Sequence, residues 1–132
     1  MNIHYDADLD YLEVFMKSAP NHEEPYPKIK GVSVYKSDKN GQVIGYSFES
    51  ASTHLNEFSE FDTVEKLAVL LKVARISKSW SQDETAKKIN VSLRHYQRLE
   101  AGQDTTLTQL NEIMKVFPKT DFISIFNSKK AS

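Results

Sequence analysis

Residues 81–102, SQDETAKKINVSLRHYQRLEAG, decide how the rest of the chain is to be arranged. Ser81 followed three residues later by Glu84 has the spacing of a capping box. In that arrangement the hydroxyl accepts a backbone N–H of the first turn and the carboxylate reaches back to the cap. Thr85, Ala86 and Ile89 then share one face of the helix this opens. Asn90 ends it, because asparagine tolerates the left-handed backbone of a tight helix-to-helix turn. Val91 can plug the corner, Ser92 is a good N-cap for a second helix running towards Ala101, and Gly102 supplies the stop.

On the second helix, steps of about 100° per residue place Tyr96 and Leu99 on one side. Leu93, Arg94, Gln97 and Arg98 fill the opposite arc and point away from the core. Arginine can grip guanine O6 and N7 with two hydrogen bonds, glutamine can do the same to adenine, and leucine can pack on a thymine methyl. This face can therefore read base edges. The plainer alternative is the solvated face of an ordinary helical hairpin, since charged helix faces are common in soluble proteins. The two capped helices with the Asn turn between them favour the first reading.

These residues resemble the lambda-repressor-like, or Xre, helix-turn-helix regulators, over a region from near Asp62 to Asn127. The resemblance rests on Ser81-Gln82, Glu84, Ala86, Ile89, Val91-Ser92, Tyr96, Leu99-Glu100 and Gly102. It implies that Gln82 holds a DNA phosphate and that Ser92, Leu93, Arg94, Gln97 and Arg98 occupy the base-reading and backbone-reading positions. It also implies a buried, structural ion pair between Arg75 and Glu100. Two residues depart from the family pattern. Thr85 stands where a leucine is usual, which predicts a thinner core there, and Asn90 replaces the common glycine.

The net charge of -1 over 132 residues hides a division. Residues 1–62 carry five Lys and no Arg against eleven acids, a net of -6, whereas residues 63–132 carry twelve basic residues against seven acids, a net of +5. A basic half suits an approach to phosphate, while an acidic half would repel DNA and is better placed to face another protein. Chance variation in surface charge is the competing explanation.

The acidic half reads as β structure. Ile3 and Tyr5 alternate with polar residues, Asp6 to Asp10 make a turn, and Tyr11 to Met16 form the return strand of a hairpin. A polar loop through Pro20, Pro25 and Pro27 is expected next. Ile29 to Tyr35 and Gln42 to Phe48 then flank the turn Ser37-Asp38-Lys39-Asn40-Gly41 as a second hairpin. Val32 and Val34, with Ile44, Tyr46 and Phe48, keep the period of two that one buried face requires. So small a sheet buries little core alone and should need a helix, a partner or a copy of itself. The pattern Tyr5-Asp6, Asp10, Leu12, Val14, Gly31-Val32, Val34, Asn40-Gly41, Val43, Gly45, Ala51-Ser52 resembles a family of small bacterial β-domains of unassigned function. Members of that family often accompany RelE-like toxins.

Between the halves, Ser50 to Glu60 reads as a linker that packs lightly or forms a short helix. Asp62 with Glu65 offers another capping box, opening a helix with a buried stripe of Leu67, Leu70, Leu71 and Ala74. Thr106 with Gln109 caps a further helix in which Leu107, Leu110, Ile113, Met114 and Phe117 are apolar, and Pro118 ends it. Phe122, Ile123, Ile125 and Phe126 make a short final helix, read either as core packing or as a dimer contact. The residues from Ser128 onward are expected to be disordered.

Other chemistries find little support. The chain has no cysteine, so disulfides and thiolate metal sites are excluded. An EF-hand loop begun at Asp6 would need glycine and glutamate where Tyr11 and Lys17 stand. His4, His22, His54 and His95 show no zinc spacing, and there is no phosphate-cradling glycine loop or recognisable nucleophile motif. No membrane-length apolar run and no signal-peptide pattern occur, which makes the cytoplasm, in a bacterial or phage-encoded setting, the default location.

The expected fold class is α+β: a small antiparallel β-domain at 1–52, a linker at 53–61, a five-helix lambda-repressor-like domain at 62–127 and a tail at 128–132. The expected function is that of a DNA-binding repressor, not an enzyme, needing no cofactor. It would act as a homodimer on an inverted-repeat operator in double-stranded DNA, with half-sites about one helical turn apart. A small basic toxin is the further partner expected if the chain is an autoregulating antitoxin. The alternative is a phage or mobile-element regulator whose β-domain only dimerises.

Overall fold

The computed structural model describes residues 1–127, and the tail expected at 128–132 lies outside the described residues. The chain divides into two compact units, the first Met1–Phe58 and the second beginning at Ser59.

The first unit is an antiparallel sheet of five strands, ordered β1-β2-β5-β4-β3. The strands are β1 (Asn2–Asp6), β2 (Tyr11–Phe15), β3 (Asn21–Pro25), β4 (Val32–Ser37) and β5 (Val43–Phe48), and a short helix α1 (Ala51–His54) follows. β1 and β2 form the first hairpin, turned where the Asp6 carboxylate accepts the N–H groups of Asp8 and Leu9. β4 and β5 form the second. The sequence expectation of a loop through Pro20 and Pro25 is corrected here, because Asn21–Pro25 is a strand paired with β4 from Asn21↔Ser37 to Pro25↔Ser33. Its residues are polar all round because it is an edge strand, and it ends at a proline, whose missing N–H an edge tolerates.

Alternation along the strands builds one buried face from Ile3, Tyr5, Leu12, Val14, Val32, Val34, Ile44, Tyr46 and Phe48. Phe58 sets its ring edge-on to Tyr46 and Phe48, with centroids 4.7 and 4.9 Å away. Asp10, at φ 50°, closes the unit from the first turn. Its carboxylate accepts the Tyr5 and Ser52 hydroxyls, both at 2.6 Å, and the Ser52 N–H, while its carbonyl accepts the Ala51 N–H at 2.9 Å. The N-cap of α1, Ser50, makes no side-chain cap bond, so a residue from a distant turn satisfies the donors a helix start leaves open. Burial pulls the Asp10 carboxyl up, but the bonds from Ser52 and Tyr5 outweigh it and hold it below its usual range.

The second unit contains α2 (Thr63–Ser77), α3 (Gln82–Lys88), α4 (Leu93–Glu100), α5 (Leu107–Val116) and a final turn at Phe122–Asn127 that is 3-10 helix. α2 opens with the full Asp62–Glu65 capping box. It buries Leu67, Leu70, Leu71 and Ala74 and also Lys66, Ala68, Val69 and Val73, so it is enclosed on more than a single stripe. The Lys66 ammonium donates to the Ser124 carbonyl at 3.2 Å, and burial lowers its pKa. α5 buries Leu110 and Ile113, but Leu107 is 79% exposed. Leu107 is the first residue of α5, and helical side chains lean towards the N-terminus, so it overhangs the cap rather than joining the apolar row. In the last turn Phe122 and Ile125 are buried while Ile123 and Phe126 are 55% and 56% exposed, the split expected of a three-residue repeat. Among the described residues no helix is long and apolar enough to cross a membrane.

Candidate nucleic-acid interface

Local bonds fix the pair α3 and α4. The Ser81 hydroxyl accepts the Glu84 N–H at 3.0 Å and the Glu84 carboxylate accepts the Ser81 N–H at 3.1 Å. The Ser81 backbone bond, then its hydroxyl bond, lowers the Glu84 pKa. Thr85 is fully buried with its hydroxyl donating to the Ser81 carbonyl, so the polar atom placed in this core is satisfied. Asn90 adopts φ 61°, the left-handed conformation that lets α3 turn into α4 without glycine. The Val91 N–H returns to the Ala86 carbonyl at 3.0 Å, and Ser92 caps α4 by accepting the His95 N–H at 3.1 Å. Gly102 follows α4 at φ 98°, where a side chain would be strained.

α4 is sharply two-sided. Tyr96, Leu99 and Glu100 are buried, whereas Ser92, Leu93, Arg94, Gln97 and Arg98 are exposed. Leu93 keeps 39% of its surface in solvent, which leaves an apolar contact available on the same face as Arg94 and Arg98. Lys87 and Lys88 are exposed at the end of α3; the Lys87 ammonium pairs with Asp83 at 3.2 Å, and the Lys88 ammonium sits 4.6 Å above the Trp80 ring.

A hydrogen-bond chain runs from beneath this face to its surface. Arg75 Nε and Nη2 donate to Glu100 Oε2 and Oε1 at 2.6 and 3.2 Å, and Nη1 donates to the Trp80 carbonyl at 2.9 Å. The two side chains are 11% and 4% exposed, so the pair is shielded from water. Burial alone would lower the Arg75 pKa, but the Glu100 carboxylate outweighs it and raises it. The Tyr96 hydroxyl also donates to Glu100, and burial, then the Glu100 charge, pushes that phenol up. Gln82 Nε2 donates to Glu100 Oε1 at 3.1 Å, and Gln97 Nε2 donates to Gln82 Oε1 at 3.2 Å. An amide has two N–H donors and one carbonyl acceptor. Gln82 therefore keeps one N–H free, and Gln97 keeps one N–H and its carbonyl, the pair an adenine edge requires.

The structure thus brings Gln82, Gln97, Glu100 and Arg75 into one network, and sets Ser92, Leu93, Arg94 and Arg98 on the same exposed helix without bonds to it. Sequence reasoning missed the part played by Tyr96 and the Trp80 carbonyl. The i, i+4 spacing of Tyr96 and Glu100 was the available sign. It also missed that His95 is braced through its Nε2 by Gln109 Oε1 at 3.0 Å, the same oxygen that accepts the Thr105 hydroxyl at 2.8 Å. Among the described residues no group of three or more His, Cys, Asp or Glu side chains could hold a metal ion.

In comparison with known protein families, residues 71–122 match the model of the Helix-turn-helix family. That span covers α3 and α4 and supports a DNA-binding transcriptional regulator. No curated protein and no solved structure matches the chain.

Proposed function

We propose that this chain is a sequence-specific transcriptional repressor and the autoregulating antitoxin of a toxin–antitoxin pair. The observation that carries the DNA-binding part is the exposed face of α4, where Gln97 is held by Gln82 with its adenine-reading atoms free and Arg94 and Arg98 lie one helical turn apart. In this reading α4 enters the major groove with Ser92 at its leading end. The free N–H of Gln82 holds a phosphate and sets the register. Leu93, Arg94, Gln97 and Arg98 meet the bases or the adjoining backbone. Two copies engage an inverted repeat with half-sites about 34–36 Å apart, and the dimer blocks a promoter, its own.

The antitoxin part rests on the opposite charges of the two halves, -6 over residues 1–62 and +5 over residues 63–132. An acidic β-unit repels DNA and suits a basic protein partner, leaving the basic unit for the operator. The test is fluorescence anisotropy of the full chain on its own upstream region and on a shuffled duplex of equal composition, at physiological salt where non-specific attraction is weakened. Preference for the native duplex is the expected result, and equal weak binding to both overturns the autoregulator reading. A neighbouring gene for a small basic protein is expected, and its absence leaves a plain phage-type or mobile-element regulator.

A further inference from the structure

The sheet has two faces, and the register shows what the second one carries. Phe15, Gly45, Tyr35 and Glu23 lie side by side across β2, β5, β4 and β3. In the adjoining row Glu13 is followed by Ser47 and Ser33. The middle of the face is therefore low, with glycine and serines on the floor. Gly45 is required there, because a Cβ at that position would come within 2.6 Å of the Phe15 ring. The Phe15 and Tyr35 rings meet over it with centroids 4.9 Å apart. Both rings, like Tyr11, are only half-buried. Beside them a groove of about 440 Å³ is lined by Tyr11, Ser47, Glu23 and Glu49 together with the basic side chains of Lys30 and His54.

The charges on this face are unspent. Of the unit's other acids, Glu24 lies against both His22 and Lys36 and Asp38 against His22, while Asp6 and Asp10 are held by backbone and hydroxyl donors. Glu13, Glu23 and Glu49 take part in no ion pair among the described residues. Glu23 accepts only the Tyr35 hydroxyl, at 3.3 Å, and that hydroxyl also lies 3.3 Å from Ser47 Oγ. Burial pushes the Tyr35 phenol up to about 12, so it remains a neutral donor.

We infer that this open sheet face, centred on Tyr11, Phe15 and Tyr35 and edged by Glu13, Glu23 and Glu49, is the docking surface for an arginine-bearing segment of a basic protein. The inference rests on the reading that the chain has a basic protein partner, and it names where that partner sits. Three carboxylates in no ion pair, set around half-buried rings, favour a cationic partner. Guanidinium suits them better than ammonium, because it stacks flat on a tyrosine ring while pairing with a carboxylate through two N–H groups. Spacing argues for a segment over a single small cation. Glu13 and Glu23 stand three strands and one row apart, roughly 16 Å, which an extended chain of about five residues spans.

The test is a titration of the isotope-labelled full chain with a nona-arginine peptide at physiological salt, followed by amide chemical shifts, with nona-lysine for comparison. The expected shifts concentrate on Tyr11, Glu13, Ser33, Tyr35 and Ser47, with arginine bound more tightly than lysine. The triple variant E13Q/E23Q/E49Q should weaken binding about tenfold, and the control D8N/E57Q/D104N, which removes the same charge elsewhere, less than about twofold. Shifts centred on other residues, or equal weakening by both variants, overturn the docking face while leaving a basic partner intact. Failure of the unaltered chain to bind nona-arginine overturns both.

Discussion

Replacing Arg75 by methionine tests how the helical unit holds its recognition helix. The substitution keeps much of the apolar stem but removes the bonds to both Glu100 oxygens and to the Trp80 carbonyl. Glu100, 4% exposed, is then a buried carboxylate whose remaining donors are the neutral Tyr96 hydroxyl and Gln82 amide. Breaking a buried pair from one side costs about 3–5 kcal/mol. Each neutral donor still contributes about 1 kcal/mol, so the low end, about 3 kcal/mol, is expected. A domain of this size loses roughly 4–8 °C per kcal/mol, which puts the fall in the melting temperature of this unit at about 12–24 °C. Far-UV circular dichroism melting of the full chain reads it. The double variant R75M/E100Q, with the orphaned charge gone, should recover part of the loss, giving a coupling of about 1–3 kcal/mol. A melting temperature within about 2 °C of the parent, or costs that simply add, would refute the reasoning.

Arg94→Ala or Arg98→Ala should each cost about 1–3 kcal/mol on the native operator if that arginine makes a bidentate base contact, with base preference relaxed at one position. An equal loss on random duplex would assign a phosphate contact instead. Asn90→Val should destabilise the helical unit by about 1–2 kcal/mol because it forces a β-branched residue to φ 61°, whereas Asn90→Gly should be tolerated; denaturant titration separates them. His22 lies 2.8 Å from both Asp38 and Glu24, and their hydrogen bonds, Asp38 first, raise its pKa from 6.5. Its contribution to stability is therefore full below its ordinary value and is lost as pH rises through the raised one. Melting between pH 6 and pH 8 should show that loss, and His22→Gln should abolish the slope. An unchanged slope would mean that the cluster contributes nothing.

The parts of the fold legible in the sequence are those set by bonds between near neighbours. Ser81 with Glu84, Ser92 with His95 and Asp62 with Glu65 are partners three residues apart, so the chain announces where α3, α4 and α2 begin. The exposed arc of α4 followed from helical periodicity alone. What stayed hidden depends on distant partners. Asn21–Pro25 is a strand only because β4 lies beside it, and nothing in its own residues favours one. Lys66 is buried because a carbonyl 58 residues away receives its ammonium. Gln97 is oriented by Gln82 across 15 residues, a link that residue types on one helix cannot reveal. The alternation that located the buried sheet face said nothing of the aromatic residues on the other.

The strand order has a bearing on how the protein is made. β5, the last strand to leave the ribosome, occupies the centre of the sheet, between β2 and β4. Until Val43–Phe48 emerges, the β1–β2 pair and the β3–β4 pair each present an open strand edge with no partner in the nascent chain. Unpaired edges of this kind template association between chains. Only when Ser52 emerges can the Asp10 carboxylate take its last donors and lock the sheet. A chain arrested before β5 emerges thus exposes sticky half-sheets, and emergence of α1 lets the unit close.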